Sequence, residues 1–123
     1  MRKSEERFSA LLANSPTAIY LKDMQGRFLI VNPRFEEWYG KSNAELIGRT
    51  AEELFPLDLR KPQRDHDAQV IETMSTVEQE RFTRFGGGTD HRVMVTKFPI
   101  VDGDGNAIGI RGINIDVTGQ QTA

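Results

Sequence analysis

The chain contains no cysteine. Disulfides, thiolate metal sites and cysteine nucleophiles are therefore excluded. No apolar run approaches the length of a membrane span; "FLIV" at 28–31 is typical. The N-terminus lacks a signal-peptide core. There is no excess of basic charge: 16 Lys and Arg face 18 Asp and Glu, the formal net charge is −2, and the signs are interspersed. A nucleic-acid binder would usually carry a basic stripe, so neither nucleic acid nor membrane is an expected partner of this stretch of chain. Repeats and low-complexity tracts are missing too. What remains is 123 residues, 37% hydrophobic and 28% charged, enough for one domain with one core.

The signals that are present come in a definite order. Residues 5–13 read as a short helix capped by Ser4, with Glu5 and Glu6 at its positive end and Phe8, Leu11 and Leu12 on one face. "NSP" at 14–16 stops it. Apolar runs at 18–21 and 28–31 flank "KDMQGR", an antiparallel hairpin with Gly26 in the turn. Asn32-Pro33 then opens a helix carrying Phe35, Trp38 and Tyr39, closed by Gly40. Two capping boxes follow, Ser42 with Glu45 and Thr50 with Glu53, each starting a very short helix. Consecutive one-turn helices wrap a chain around a concave space. The longest helical pattern spans 62–74, opened by Pro62, with Val70, Ile71 and Met74 on its apolar face. Strands follow at 77–85, 90–100 and 107–117, joined through "GGGT" and "DGDGN". Grouped rather than alternating elements indicate an α+β fold with an antiparallel sheet.

A turn built on two or four residues of "GGGT" would pair even positions of one strand with odd positions of the next. Glu80, Phe82 and Arg84 then share a face with Val93, Val95 and Lys97. In the last strand Ile108, Ile110, Gly112 and Asn114 share one face.

In order and spacing, these pieces resemble a PAS domain, the small sensory module of signalling proteins. "SEERFSALLANSPTAIYLKDMQGRFLIVNPRF" is similar to that family's entry helix and first hairpin, with Asp23, Gly26, Asn32 and Phe35 at favoured positions. "NAELIGRTAEELFP" resembles its short helices. "TKFPIVDGDGNAIGIRGINIDVT" resembles its last hairpin, closing on Asp116-Val117-Thr118. The resemblance implies a five-stranded antiparallel sheet in the order 2-1-5-4-3, with helices over one face. It implies an entry helix at 1–15, the sensory domain at 16–118, and at 119–123 the start of a linker to an output domain, such as a histidine kinase or a cyclic-dinucleotide enzyme. Asp116 and Thr118 would relay the signal. It also implies that Val95, Lys97 and Asn114 point into a pocket and Ile113 and Ile115 away from it. The expected pocket wall is Ile30, Phe35, Val70, Met74, Phe82, Val95, Lys97 and Asn114. A cytoplasmic homodimer is expected, with the outer sheet face and Phe8, Leu11 and Leu12 as its surface.

Each candidate has a plainer reading. Glu80 and Lys97 are expected to form an ordinary cross-strand ion pair rather than a ligand contact, stabilising by about 0.2–1 kcal/mol if exposed. Asn114 is either a ligand hydrogen-bonder or an amide satisfied by Lys97 or by backbone. His66 matches the helix His that ligates iron in haem-binding relatives, but the basic residue for the propionates is missing; a solvated helix-surface His is the expectation. Trp38 and Tyr39 fit a core cluster better than a ligand stack. Flavin photoadduct chemistry is excluded by the missing Cys. "GGG" at 86–88 joins strands and is no phosphate loop. No cofactor is required, and no nucleophile elbow or acid pair points to catalysis.

Overall fold

The computed structural model describes residues 6–7, 10–11, 13–85 and 88–119. Helical conformation is seen at residues 6, 7, 10, 11, 13 and 14. Phe8 and Leu12 lie outside the described residues, and Leu11 is 72% exposed.

Strands β1 (Ala18–Asp23) and β2 (Phe28–Val31) form the first hairpin. Its turn is held by Asp23, whose Oδ1 accepts from the N–H groups of Gln25 and Arg27, both at 2.9 Å. Gly26 takes the left-handed conformation that this turn requires (φ 81°). Asn32 fastens the hairpin to helix α1 (Pro33–Tyr39): Oδ1 accepts from Phe35 N and Ile19 N, and Nδ2 donates to Thr17 O. The helices α2 (Asn43–Leu46) and α3 (Ala51–Leu54) begin where Ser42 and Thr50 were expected to cap them. Glu45 and Glu53 return to the N–H groups of Ser42 and Thr50 at 3.1 and 3.2 Å.

Helix α4 runs Leu57–Thr73, five residues earlier than the sequence suggested. Pro56 occupies the N-cap, and Pro62, read as the opening residue, lies inside the helix. Proline there removes one backbone donor at the second turn. The helix ends before Met74, which adopts a left-handed cap (φ 51°).

Strands β3 (Val77–Arg84), β4 (Asp90–Val101) and β5 (Ala107–Asp116) complete an antiparallel sheet in the order β2-β1-β5-β4-β3. The fold is thus the expected one. The β3–β4 register is not. Val77 pairs with Lys97, Gln79 with Val95 and Arg81 with Val93, so odd positions face odd positions. The reason is a loop of three residues, not two or four: Phe85 N donates to Thr89 O at 2.9 Å, and Gly88 takes φ 84°. One residue of loop length turns a whole strand over. Arg81 therefore faces the helices, and Phe82, expected in the pocket, is 76% exposed on the other side. Glu80 likewise points outward and pairs with Arg92 at 3.2 Å instead of with Lys97.

The core lies between the sheet and α1–α3. Tyr20, Phe28 and Phe35 meet edge-on or tilted, with centroids 5.3–6.1 Å apart, and Val31, Leu46 and Phe55 close around them. Gly112 of β5 pairs with Tyr20. A Cβ at 112 would stand 2.1 Å from Tyr20 Cζ, so the ring lies across β5 only because that residue has no side chain.

Candidate functional site

Strand β1 alternates Ala18, Tyr20 and Lys22 toward the helices, and all three are buried. The pattern places a lysine where the two preceding inward residues fill an apolar interior. Beside it on β4 lies Lys97. The two ammonium groups are 2% and 0% exposed and share one acid from α4: Lys22 Nζ donates to Asp67 Oδ2 at 3.1 Å and Lys97 Nζ to Oδ1 at 2.6 Å. Lys97 also approaches Gln63 O at 3.4 Å. Aromatic faces complete the surroundings, with Lys22 Nζ 5.1 Å from the Phe28 centroid and Lys97 Nζ 5.7 Å from that of Tyr20.

Two cations and one carboxylate cannot all be comfortable in an apolar interior. Burial, and then the neighbouring Lys22 charge, push the Lys97 amine down to about 7 despite the attraction of Asp67. Burial acts to raise the Asp67 carboxyl, but the ammonium groups of Lys97 and Lys22 outweigh it and hold that carboxyl below its usual range. Asp67 stays ionised and Lys97 carries the strain of the arrangement.

Asp67 and Lys22 form part of the wall of an open cleft of about 370 Å³ between α4, α3 and the β1–β2 turn. Arg60 and Arg64 stand on the same side of α4. Met24, Ala68, Ile71 and Ile110 supply apolar wall. A second, smaller cavity of about 30 Å³ lies deeper under α4, bordered by Tyr39, Arg81, Val95 and Asn114. Asn114 Nδ2 donates to Tyr39 Oη at 2.8 Å, while its buried Oδ1 has no protein partner. Arg81 Nη1 donates to Pro62 O at 2.9 Å.

The eight residues expected in the pocket divide as follows. Phe35, Val70, Val95, Lys97 and Asn114 are buried on the helix side of the sheet. Val95 and Asn114 border the small cavity, and Phe82 touches its rim from an exposed position. Ile30 pairs with Leu21, whose side chain alternates away from buried Tyr20, so Ile30 belongs to the outer face. Met74 lies past the helix end and is 43% exposed. None of the eight lines the larger cleft. Its polar residues were nonetheless signalled: Arg60, Arg64 and Asp67 recur at helical spacing, and a lysine continues the inward alternation of β1.

His66 departs from the expectation of a solvated helix-surface residue. It is fully buried, and Nε2 lies 2.7 Å from Val77 O. A carbonyl only accepts, so Nε2 carries the proton. Burial lowers its imidazole pKa to about 4, against the pull of that hydrogen bond. The nitrogen facing β3 is thus committed to the backbone. Ligation of a haem iron through Nε2 would break this bond, and Nδ1 is buried without a hydrogen-bond partner. Among the described residues no cluster of three or more His, Asp or Glu side chains could hold a metal ion.

At the far end of the sheet the Asp116-x-Thr118 ending folds back on β4. Thr118 N and Oγ1 both donate to Asp116 Oδ1, and Arg92 N donates to Thr118 Oγ1 at 2.9 Å. Asp116 Oδ2 lies 3.0 Å from His91 Nδ1, which therefore carries a proton. The His91 ring stacks on Phe85 at 3.9 Å, and Phe85 stacks on Trp38 of α1 at 4.9 Å. Trp38 and Tyr39 serve packing, and Tyr39 in addition holds Asn114. This ring ladder was not evident in the sequence, because Trp38 and His91 are 53 positions apart and meet only through the tertiary fold.

Comparison with known proteins agrees with the architecture. A family described as "PAS fold" matches residues 12–122, and the chain belongs to that family. It is 32% identical over 117 residues to the methanogenesis regulatory histidine kinase FilI of Methanothrix harundinacea, covering 94% of this chain and 13% of that protein. It is 28% identical over 102 residues to a diguanylate cyclase of Vibrio cholerae, covering 81% of this chain and 32% of that enzyme. The chain thus spans a third or less of these relatives. Among solved structures, the Vibrio cholerae VqmA–ligand–DNA complex superposes with a TM-score of 0.82 at 26% identity, over 93% of this chain and 51% of that one. A PAS domain from Colwellia psychrerythraea superposes with a TM-score of 0.78 at 20% identity, over 95% and 99%. That second likeness speaks to fold alone. No helix among the described residues is long and apolar enough to cross a membrane.

Proposed function

We propose that this domain is a non-catalytic sensor that takes a small molecule into the cleft between α4 and the sheet and passes its occupancy along β5 to an output unit. The observation that carries the proposal is the cleft of about 370 Å³, whose wall includes the Lys22–Asp67 pair. Ligand sites commonly span about 300–1,000 Å³. Apolar wall with a few convergent charged groups is the usual make-up of such a site. Occupancy would shift a population rather than build a new state. Any ligand that redistributes the hydrogen bonds of Asp67 alters Lys97 on β4, whose neighbour β5 ends at Asp116, two residues before Thr118.

Residues 1–15 act in this reading as the entry helix, 16–118 as the sensor and 119–123 as the start of the linker. The relatives, a histidine kinase and a diguanylate cyclase, support an output of the kinase or cyclase kind, and a cytoplasmic two-component or cyclic-dinucleotide pathway is part of the proposal. The likeness to VqmA, a ligand-binding protein, supports a ligand. A homodimer through the outer sheet face is the expected assembly; Ile115 is an exposed apolar side chain of that face.

A second reading has its own observation. The interior under α1–α3 is filled by rings, and the cavity beside Asn114 is only about 30 Å³. This favours a ligand-free relay domain whose outer face does the work. Native mass spectrometry of the chain as purified separates the two. A retained small molecule supports the sensor. A bare mass at every gentle condition, together with no mass gained on exposure to a metabolite library, supports the relay.

A further inference from the structure

The larger cleft carries a charge imbalance at both of its ends. At the deep end Lys22 and Lys97 share the single carboxylate of Asp67. At the outer end Arg60 and Arg64 share the single carboxylate of Glu52: Arg60 Nε lies 3.5 Å from Oε2 and Arg64 Nη1 3.5 Å from Oε1. Arg60 Nη1 is spent on Glu52 O at 2.9 Å, while its buried Nε makes no hydrogen bond of good geometry. The remaining acid of the wall, Asp23, is already engaged, with Oδ1 receiving two turn N–H groups and Oδ2 lying 3.8 Å from Arg27. Lys22, Arg60 and Arg64 line the cleft while Lys97 lies behind its wall, so three wall cations face the two remaining carboxylates, an excess of one positive charge.

The ordinary reading is that water compensates this excess. At the outer end it suffices, since Arg60 and Arg64 are partly exposed. At the deep end Lys22 and Lys97 are almost wholly withdrawn from solvent, and burial beside Lys22 pushes the Lys97 amine down to about 7, so an acidic group entering there would draw Lys97 toward its charged form. An incoming anion would be worth most at that end. Spacing along the helix fixes the separation. Arg60, Arg64 and Asp67 share one face of α4, and successive residues rise about 1.5 Å, so the two ends lie about 4.5–10 Å apart. Between them Ala68, Ile71 and Ile110 offer apolar surface to a short carbon chain.

We propose that the cleft recognises a small molecule bearing two acidic groups, one set against Lys22 beside Asp67 and the other against Arg60 and Arg64. The inference rests on the cleft being the ligand site and names the chemistry that site selects. The acidic groups face charge-assisted donors, and the guanidinium groups offer two-pronged geometry to a carboxylate. A dicarboxylate of four to six carbons matches the separation; a lone phosphate reaches one end only.

Calorimetric titration and thermal unfolding of the whole chain test this with succinate, glutarate and adipate, with inorganic phosphate, and with succinamide as the uncharged counterpart of succinate. At least one dicarboxylate is expected to bind and raise Tm, more weakly as salt increases. It should bind at least about tenfold more tightly than phosphate, with no response to succinamide. Arg64→Gln, at a largely exposed position that leaves folding intact, should weaken dicarboxylate binding about tenfold, the effect of losing one charge-assisted contact. The inference is overturned if succinamide binds as well as succinate, if phosphate matches every dicarboxylate, if Arg64→Gln leaves the affinity unchanged, or if no dicarboxylate binds. An uncharged molecule found retained in the purified protein would also overturn it while upholding the sensor itself.

Discussion

The two halves of the space between sheet and helices are built on opposite principles. Under α1–α3, rings of Tyr20, Phe28, Phe35 and Phe55 fill the interior. Under α4, a few ångströms along the same sheet, two lysines and an aspartate are buried and an open cleft adjoins them. The first half is what hydrophobic burial alone produces. The second is costly: replacing such a triad with apolar side chains of similar volume is often neutral or stabilising. In the proposed sensor the costly half serves the cleft, and the filled half supplies the stability that allows it.

This contrast can be broken most directly at its hinge. Asp67→Asn leaves Lys22 and Lys97 buried without a counter-charge, and a loss of about 3–5 kcal/mol in urea unfolding is expected. Lys97→Met instead leaves a matched Lys22–Asp67 pair, and it should lose far less, or gain. Equal losses in the two variants would show that the triad acts as packing and not as charge. In the filled half, Gly112→Ala drives a methyl into the Tyr20 ring, and overpacking of this kind should cost about 2–3 kcal/mol, read as a lower urea midpoint with unchanged slope.

Smaller effects sharpen the comparison. Phe85→Ala removes the middle ring between Trp38 and His91 and should cost about 1–2 kcal/mol. It should also hasten hydrogen exchange at the amides around Thr118 while leaving those of β1 unchanged. The pH dependence separates the two buried bases. Lys97 titrates at about 7 in the folded chain and near its ordinary value when unfolded, so the unfolded state binds the extra proton between those limits. Stability contributed through Lys97 therefore rises with pH from about 7 toward the ordinary lysine range, and Lys97→Met should abolish that rise. His66 is neutral when folded and titrates at about 4, so its contribution is complete above the ordinary histidine value and fades as pH falls toward 4. A ring-proton NMR titration of His66 with a midpoint near 6.5 would contradict its burial.

Local chemistry made much of this fold readable. Asn32-Pro33, Ser42 with Glu45, Thr50 with Glu53, and Gly26 each act within a few residues, and each does in the structure what its chemistry requires. The strand order agreed because the pieces matched a known sequence of elements. What escaped depends on counts or on distance. Three glycines fit loops of two, three or four residues equally well, and the odd number inverted β3, sending Phe82 out and Arg81 in. Pro62 looks like a helix start because proline suits that position, yet Pro56 already fills the cap. Lys22 and Asp67 are 45 residues apart, so no local pattern joins them. A buried lysine needs a carboxylate, and the clues to the site were two separate local patterns, the inward alternation of β1 and the helical spacing of Arg60, Arg64 and Asp67.

The most direct measurement is a ¹H–¹⁵N NMR titration of the chain with succinate or, if it binds better, glutarate. Shift changes are expected at Lys22, Arg64 and Asp67, continuing through Lys97 into Asn114, Asp116 and Thr118. Changes that stop at the cleft would contradict the relay through β5, and changes confined to the exposed sheet face would contradict the site itself.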